Sequence, residues 1–283
     1  MAAATVKTTP MPLTRMPSFR SSLLAFRARY NEEEKLCSLL DDIRPELDFL
    51  RSAGCAVSFG TGAGVYDFAF LTRCTPSLRS FVSVDRDASG VDDLRRSLAA
   101  HLPNVAGVFH RTSIQDWTGP DEGADLALMF HVLHYLDAAD RRTLYRRCFR
   151  QRDSGDGGGD GWLKADGCAV MLTPGCRTNL METVFATIAP GNRFPSSDDI
   201  ERELAAEGCE VVRQYEYSVD VDLSDVDDAL LMFFNYLGGC SVRLDAIRDA
   251  IDAVMTDVGG KFEIFPKLMI VRRQSSPQAS LLE

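Results

Sequence analysis

Ala56-Val57-Ser58-Phe59-Gly60-Thr61-Gly62-Ala63-Gly64 is a short apolar run that passes straight into a G-x-G-x-G turn. An apolar stretch of this length closed by glycines reads as a buried strand, a loop and the start of a helix. Glycine is needed where the backbone takes unusual dihedrals or lets a ligand touch it directly. A second apolar run closes on Asp85, twenty-one residues after Gly64. An acidic residue at the end of the strand that follows such a loop can accept both hydroxyl hydrogens of a ribose. The stretch therefore predicts an α/β fold around a nucleoside-containing ligand.

The glycine spacing narrows that ligand. A nicotinamide-binding fingerprint is G-x-G-x-x-G, with the pyrophosphate on the helix N-terminus. Here the third glycine, Gly64, comes one residue early. S-adenosyl-L-methionine carries no phosphate and needs only close backbone approach to its methionine and ribose parts. The pattern favours it over a dinucleotide, and no second substrate domain of the dehydrogenase kind is evident.

Working outward, strands are predicted at 55–59, 80–84, 105–110, 124–130 and 167–173, with helices at 64–72, 88–101, 137–150 and 177–188. Continuous apolar strands such as Leu126-Ala127-Leu128-Met129-Phe130 suit a parallel sheet covered on both faces. Alternating strands and helices imply right-handed crossovers and a doubly wound fold. Ser197-Asp198-Asp199 reads as the N-cap of a helix ended by Gly208. A strand at 210–219, helices at 225–238 and 243–257 and a strand at 262–271 follow. The polar, Gly-rich run 153–161 is expected to be a surface insertion, since it lacks the closing Glu and flanking helices of a calcium loop.

Before the glycine stretch, Pro10, Pro12 and Pro17 keep the chain irregular. Helical periodicity then runs from Phe19 to Arg51, broken near Tyr30-Asn31 and at Pro45. The expected organisation is a tail at 1–18, an N-terminal helical cover at 19–54, a main domain at 55–273 and a tail at 274–283. Insertions within 177–260 would cover the strand ends.

The chain has 283 residues, 45% hydrophobic and 25% charged, the profile of a globular protein. Its net charge of -10 argues against nucleic acid, which needs clustered Lys and Arg. No apolar run approaches the ~18–20 residues of a membrane span. The eight cysteines form no C-x-x-C pair and lie at no metal-ligand spacing with a His, so neither a metal nor disulfides are expected. A cytoplasmic location follows. The acid-free first thirty-one residues leave organelle targeting open as an alternative.

Two further stations belong to the same sheet end. His110-Arg111-Thr112-Ser113-Ile114 follows the third strand, where a polar and an apolar side chain can bracket an adenine ring. His131-Val132-Leu133-His134-Tyr135-Leu136 follows the fourth, over the carboxyl ends where ligands bind in open α/β folds. Ser113 reads alternatively as a helix cap, and His131 as a packed histidine bonded to backbone. The cofactor-binding expectation covers Gly60, Gly62, Gly64, Asp85, Arg86, Ser113, Ile114, Phe130 and His131.

With these stations in order, the chain resembles the class I S-adenosylmethionine-dependent methyltransferases, and among them most the histamine N-methyltransferase family. The likeness covers roughly residues 19–271. It includes Ile114-Gln115, His131-Val132-Leu133-His134-Tyr135, Ser197-Asp198-Asp199-Ile200 and Glu207-Gly208. Its most specific part is Asp222-Leu223-Ser224-Asp225 followed by Leu230-Leu231-Met232-Phe233-Phe234. The resemblance implies a Rossmann-like, seven-stranded sheet whose last strand is antiparallel, an aromatic substrate pocket and a monomer. It implies that an acidic residue of the N-terminal region binds the substrate's charged amine, with Glu32, Glu33 and Glu34 as the matches and Glu32 preferred. Tyr135 and Phe234 match pocket aromatics. The chain also departs from the family. His131 stands where the family has a substrate-contacting Gln, His134 where it has a Tyr, and Trp117 and Trp162 do not match its pocket tryptophans.

Methyl transfer from a sulfonium is an in-line displacement, so the nucleophile must be held close and unprotonated. An amine at neutral pH is mostly ammonium and must first lose a proton. A carboxylate can attract it and a histidine can take the proton. His131 and His134 are the expected catalytic residues, and Tyr30, Glu32, Glu33, Tyr135, Phe185 and Phe234 the expected substrate contacts. The leading reading is a methyltransferase acting on a nitrogen of a small amine or imidazole-type substrate. The alternatives are an O-methyltransferase for a carboxylate or phenol, and a catalytically inactive cofactor-binding homologue.

Overall fold

Val57 and Phe59 point to one face of the strand and Ala56 and Ser58 to the other, and all four are buried. That two-sided burial puts this strand, β1 (Cys55–Phe59), inside a sheet with helices on both faces. The computed structural model of the protein describes residues 18–87, 90–150, 161–176, 184, 194–237, 242–257 and 262–274. The chain divides into two units, one comprising 32–179, 194–219 and 263–283, the other 1–31, 180–193 and 220–262.

The first unit holds a seven-stranded sheet. Beside β1 lie β2 (Ser80–Asp85) and β4 (Ala124–Phe130), both parallel to it. Outside them come β3 (Ala106–Arg111) and β5 (Leu163–Thr173), again parallel. β9 (Lys267–Arg273) runs antiparallel between β5 and β6 (Cys209–Glu216), so the order is β3-β2-β1-β4-β5-β9-β6. The expected doubly wound, seven-stranded sheet with an antiparallel last strand is what the chain forms.

One face is covered by α2 (Glu32–Ile43), the 3-10 turn Arg44–Leu50, α3 (Val65–Cys74) and α4 (Val91–His101). Its core joins Leu36, Leu40, Phe70 and Leu71 to Ala56, Phe81 and Leu128. The opposite face carries α5 (Ala138–Phe149) and α6 (Ser197–Ala206) over Val57, Phe59, Ala127 and Met171. Trp117 and Trp162 belong to this second core, their rings 4.8 Å apart and each about 5.5 Å or less from Phe59. Ser196 caps α6 in a capping box with Asp199, as the Ser-Asp-Asp pattern predicts within a residue.

Three strand boundaries differ from the sequence reading. β5 starts at Leu163 instead of 167, and its register against β4 shifts between Ala124 and Leu126. Gly167 makes this close passage possible: a methyl group there would lie 3.1 Å from the carbonyl oxygens of Ala124, Asp125 and Lys164. The expected strand 262–271 is divided into β8 (Phe262–Ile264) and β9, because Pro266 has no N–H for the ladder. The expected strand 210–219 is divided likewise into β6 and β7 (Val219–Val221). β7 and β8 form a separate two-stranded sheet. The helix expected at 177–188 and the insertion at 153–161 lie almost wholly outside the described residues.

In the other unit, α1 (Phe19–Arg27) starts at the Ser18 cap and packs on α7 (Asp228–Leu237). Phe26 stacks on Phe233 with ring centres 4.5 Å apart, and Phe234 meets Phe26 edge-on. Arg29 pairs with Asp227 at 2.9 Å, and α8 (Leu244–Asp257) completes the helices. No helix among the described residues is long and apolar enough to cross a membrane.

Candidate active site

The loop after β1 turns on three left-handed glycines, with φ of +64° at Gly60, +56° at Gly62 and +75° at Gly64. The Gly60 N–H donates to Val84 O at 2.9 Å, which ties the loop to β2. A methyl group on Gly60 would lie 2.4 Å from Val132 Cγ2, so the loop presses directly on the segment after β4. Gly62 is the reverse case, since a methyl group there would meet nothing within 4 Å. The backbone at Gly62 faces open space, where a ligand can approach it. Gly64 is the N-cap of α3 and supplies no side-chain cap.

Asp85, at the end of β2, closes the loop from the side. Its Oδ2 accepts from the Gly62 N–H at 2.9 Å and its Oδ1 from the Asp87 N–H at 2.8 Å. A carboxylate has about four lone-pair sites, so each oxygen keeps capacity for a ligand hydroxyl. Beneath the loop, three buried hydroxyls form a chain. Ser83 donates to Thr61 Oγ1 at 3.0 Å, and Thr61 donates to Ser58 at 3.0 Å. This fixes the loop to two strands at once.

His131 follows β4 and has φ of +52°, the single non-glycine residue with positive φ among those described. Such a conformation costs roughly 1–3 kcal/mol and persists where its surroundings hold it. Its N–H donates to Leu172 O at 2.9 Å, across to β5. Its Nε2 lies 2.8 Å from Oε1 of Glu32, in the first turn of α2. Glu32 is 1% exposed and is held further by the phenols of Tyr66, at 2.8 Å to Oε2, and Tyr217, at 3.4 Å to Oε1. Tyr66 stands in the first turn of α3, just after the glycines, and its ring meets the His131 ring edge-on at 5.2 Å. The carboxylate, the imidazole and the glycine loop thus form one connected arrangement.

The other expected residues are spread more widely. His134 lies in the 3-10 turn Leu133–Tyr135, with ring centres 6.3 Å from His131, 4.1 Å from Tyr135 and 6.4 Å from Phe194. Ser113 donates to Asp116 Oδ2 at 2.6 Å and accepts from the Asp116 N–H, so its hydroxyl caps a turn. Ile114 packs against the second core, Phe130 is buried in the first, and Arg86 and Glu33 are exposed. Tyr30 and Phe234 belong to the helical unit, Tyr30 bridging to Val221 and Phe234 fully buried. Phe185 lies outside the described residues. Among the described residues, no group of three or more His, Cys, Asp or Glu is placed to hold a metal ion.

Tyr66, Tyr217 and Phe194 are absent from the sequence expectation. Tyr66 had a usable signal, since it lies two residues after Gly64 and therefore in the first turn of the helix the glycines start. Tyr217 had none, because reading 210–219 as one strand hides the break that turns it inward.

Residues 56–155 match the family model described as a methyltransferase domain. No curated protein matches the chain. Among solved structures, a Bacillus halodurans protein described as a methyltransferase superposes with a TM-score of 0.58 at 13% identity, covering 84% of this chain and 100% of that one. A Galdieria sulphuraria protein described as a sarcosine dimethylglycine methyltransferase gives 0.52 at 10% identity, covering 84% and 85%. The YcgJ protein of Bacillus subtilis gives 0.51 at 14% identity, covering 83% and 98%. The domain match and the strand order place the chain on the class I methyltransferase fold, whose cofactor is S-adenosyl-L-methionine. The loop geometry fits that group, with open backbone at Gly62 and a carboxylate with spare acceptor capacity at Asp85.

Proposed function

We propose that this chain, built on the class I methyltransferase fold, transfers a methyl group from S-adenosyl-L-methionine to a nitrogen of a small amine or imidazole-type substrate. The observation that carries this reading is the Glu32–His131 pair, set beside the glycine loop at the carboxyl end of β4. The Gly60–Gly64 loop and Asp85 would hold the cofactor. When bound, the cofactor supplies a methyl group on a sulfonium whose departure leaves a neutral thioether.

The chain's own residues have two remaining tasks, to orient the acceptor and to take its proton. His131 would be the base, because a histidine is the side chain that exchanges protons near neutral pH. His134 clusters with Tyr135 and Phe194, ring centres 4.1 and 6.4 Å away, and such an aromatic group would favour a planar or cationic acceptor. The resemblance to the histamine N-methyltransferase family supports an amine, while His131 in place of that family's Gln supports an acceptor other than histamine. A base in this position would also serve a phenol, so oxygen acceptors belong in the same screen.

Calorimetric titration with S-adenosylhomocysteine, with NAD as control, tests the cofactor. Micromolar binding of the former alone is expected. Methyl transfer to amines, imidazoles, phenols and small acids then tests the acceptor. Turnover confined to oxygen acceptors would overturn the nitrogen assignment, and absence of S-adenosylhomocysteine binding would overturn the function.

A further inference from the structure

The Glu32 carboxylate is nearly inaccessible to solvent and already accepts from two phenols. A substrate ammonium would have to displace one of these partners to reach it. The imidazole of His131 is more open, at 16% side-chain exposure, and it links Glu32 to the segment that touches the glycine loop. The Tyr66 and Tyr217 phenols donate to both oxygens of Glu32, which favours its ionised form. An ionised carboxylate only accepts hydrogen bonds, and the 2.8 Å contact then puts the imidazole hydrogen on Nε2. The lone pair is then on Nδ1, which has no hydrogen-bond partner among the described residues.

We infer that Glu32 is a positioning residue that works through His131, and that Nδ1 of His131 is the atom that takes the acceptor's proton. This rests on the methyltransferase reading above. It changes what the acidic residue does, since the resemblance would have it bind the substrate's amine directly. The proton balance is simple. The N–H bond of the acceptor breaks, an Nδ1–H bond forms, and the ring becomes an imidazolium whose Nε2–H faces the Glu32 carboxylate. An ammonium acceptor is left as the neutral amine and an azole as the azolate. The acceptor nitrogen's freed lone pair forms the bond to the methyl carbon as the carbon–sulfur bond breaks, and its electron pair stays on sulfur. Tyr66 and Tyr217 keep the carboxylate from swinging away, and the left-handed backbone at His131 aims the ring. The substrate class this selects is one whose reacting nitrogen still carries a removable proton, an ammonium or an azole N–H.

Two readouts test the inference, one of them independent of turnover. The chain has four histidines, so long-range proton–nitrogen NMR of the imidazoles is tractable, and the signal lost in His131→Asn identifies His131. The expected spectrum shows the Nε2–H form in the wild type, and in Tyr66→Phe a mixture of forms or a shifted Nε2 signal. An Nδ1–H form in the wild type overturns the assignment. Kinetics supply the second readout. Glu32→Gln is expected to lower kcat roughly 10- to 100-fold, with the KM of the acceptor and the affinity for S-adenosylhomocysteine changed less than about threefold, and Glu32→Asp to restore part of the loss. A rise in KM with kcat preserved would mean that Glu32 binds the substrate itself. Failure of the wild type to bind S-adenosylhomocysteine overturns the methyltransferase reading, while the tautomer still decides the pairing.

Discussion

Oε1 of Glu32 lies 2.8 Å from Nε2 of His131, joining the first turn of α2 to the residue after β4. The contact forms at a residue whose backbone is left-handed. The pair therefore holds a strained residue in place at the end of the sheet where the glycine loop also ends.

The strain can be measured apart from the imidazole. His131→Ala and His131→Gly both remove the ring, but only glycine adopts a φ of +52° without steric cost. The glycine variant should be more stable than the alanine variant by about 1 kcal/mol. Urea unfolding of the two proteins checks this, and equal midpoints would mean that the backbone relaxes. In both, turnover should fall further than S-adenosylhomocysteine affinity, and equal losses would mean that His131 only shapes the site.

Asp85 holds the loop by accepting from Gly62 and Asp87. Asp85→Ala should weaken S-adenosylhomocysteine binding by about 1–3 kcal/mol, the cost of removing a charged hydrogen-bond partner. Asp85→Asn should lose less, because its amide oxygen still accepts from one N–H. Calorimetry distinguishes them, and an unchanged affinity in Asp85→Ala would remove the residue from the site.

Gly60 and Gly62 should fail differently. A side chain at Gly60 collides with Val132, so Gly60→Ala should lower the thermal midpoint and cofactor affinity together. A side chain at Gly62 enters open space, so Gly62→Val should keep most of its fold, with about 1–2 kcal/mol of backbone strain, and lose binding. A Gly62→Val protein that binds normally would show that the ligand does not approach the loop there.

Asp125 gives a pH test in the sheet. Burial alone would raise its pKa, but the Lys164 ammonium at 2.7 Å and the N–H groups of Cys55 and Gly54, both at 2.8 Å, outweigh burial and hold the carboxyl below the usual carboxylate range. A folded-state value below the unfolded one means stability that is present above the unfolded pKa, about 3.9. It is lost as the pH falls through the folded value. Asp125→Asn should therefore melt at a lower temperature than wild type at pH 7, with the gap closing below pH ~4. A gap independent of pH would assign the loss to packing.

The parts of this fold that could be read in the sequence are those where local chemistry decides. β1, the glycine turn, α3, β2 and β4 lie within two residues of expectation, because burial on both faces and glycine geometry leave few choices. The three consecutive acids Glu32, Glu33 and Glu34 were harder to separate by residue type. Helical phase distinguishes them: Glu32 shares a face with Leu36, Leu40 and Ile43, all buried, whereas Glu33 and Glu34 are exposed. The strand break near 265 carried a local signal in Pro266, which the apolar run around it masked. The break near 217 was not legible, because Tyr217 N–H donates to Pro266 O, a pairing between segments far apart in the chain. The Ser113 hydroxyl caps the turn at Asp116, a role the sequence offered beside a place at the adenine.

The two tryptophans have a consequence for how the molecule can be observed. Trp117 and Trp162 are the whole tryptophan content of the chain, and both lie against Phe59 in the sheet unit. Red-edge excitation therefore lights that unit alone, and the helical unit, with phenylalanines and tyrosines only, stays dark. Emission will follow the melting of the strand that ends in the glycine turn, while ellipticity sums over every helix. Superimposable curves from the two signals would identify one cooperative transition, and separated curves two.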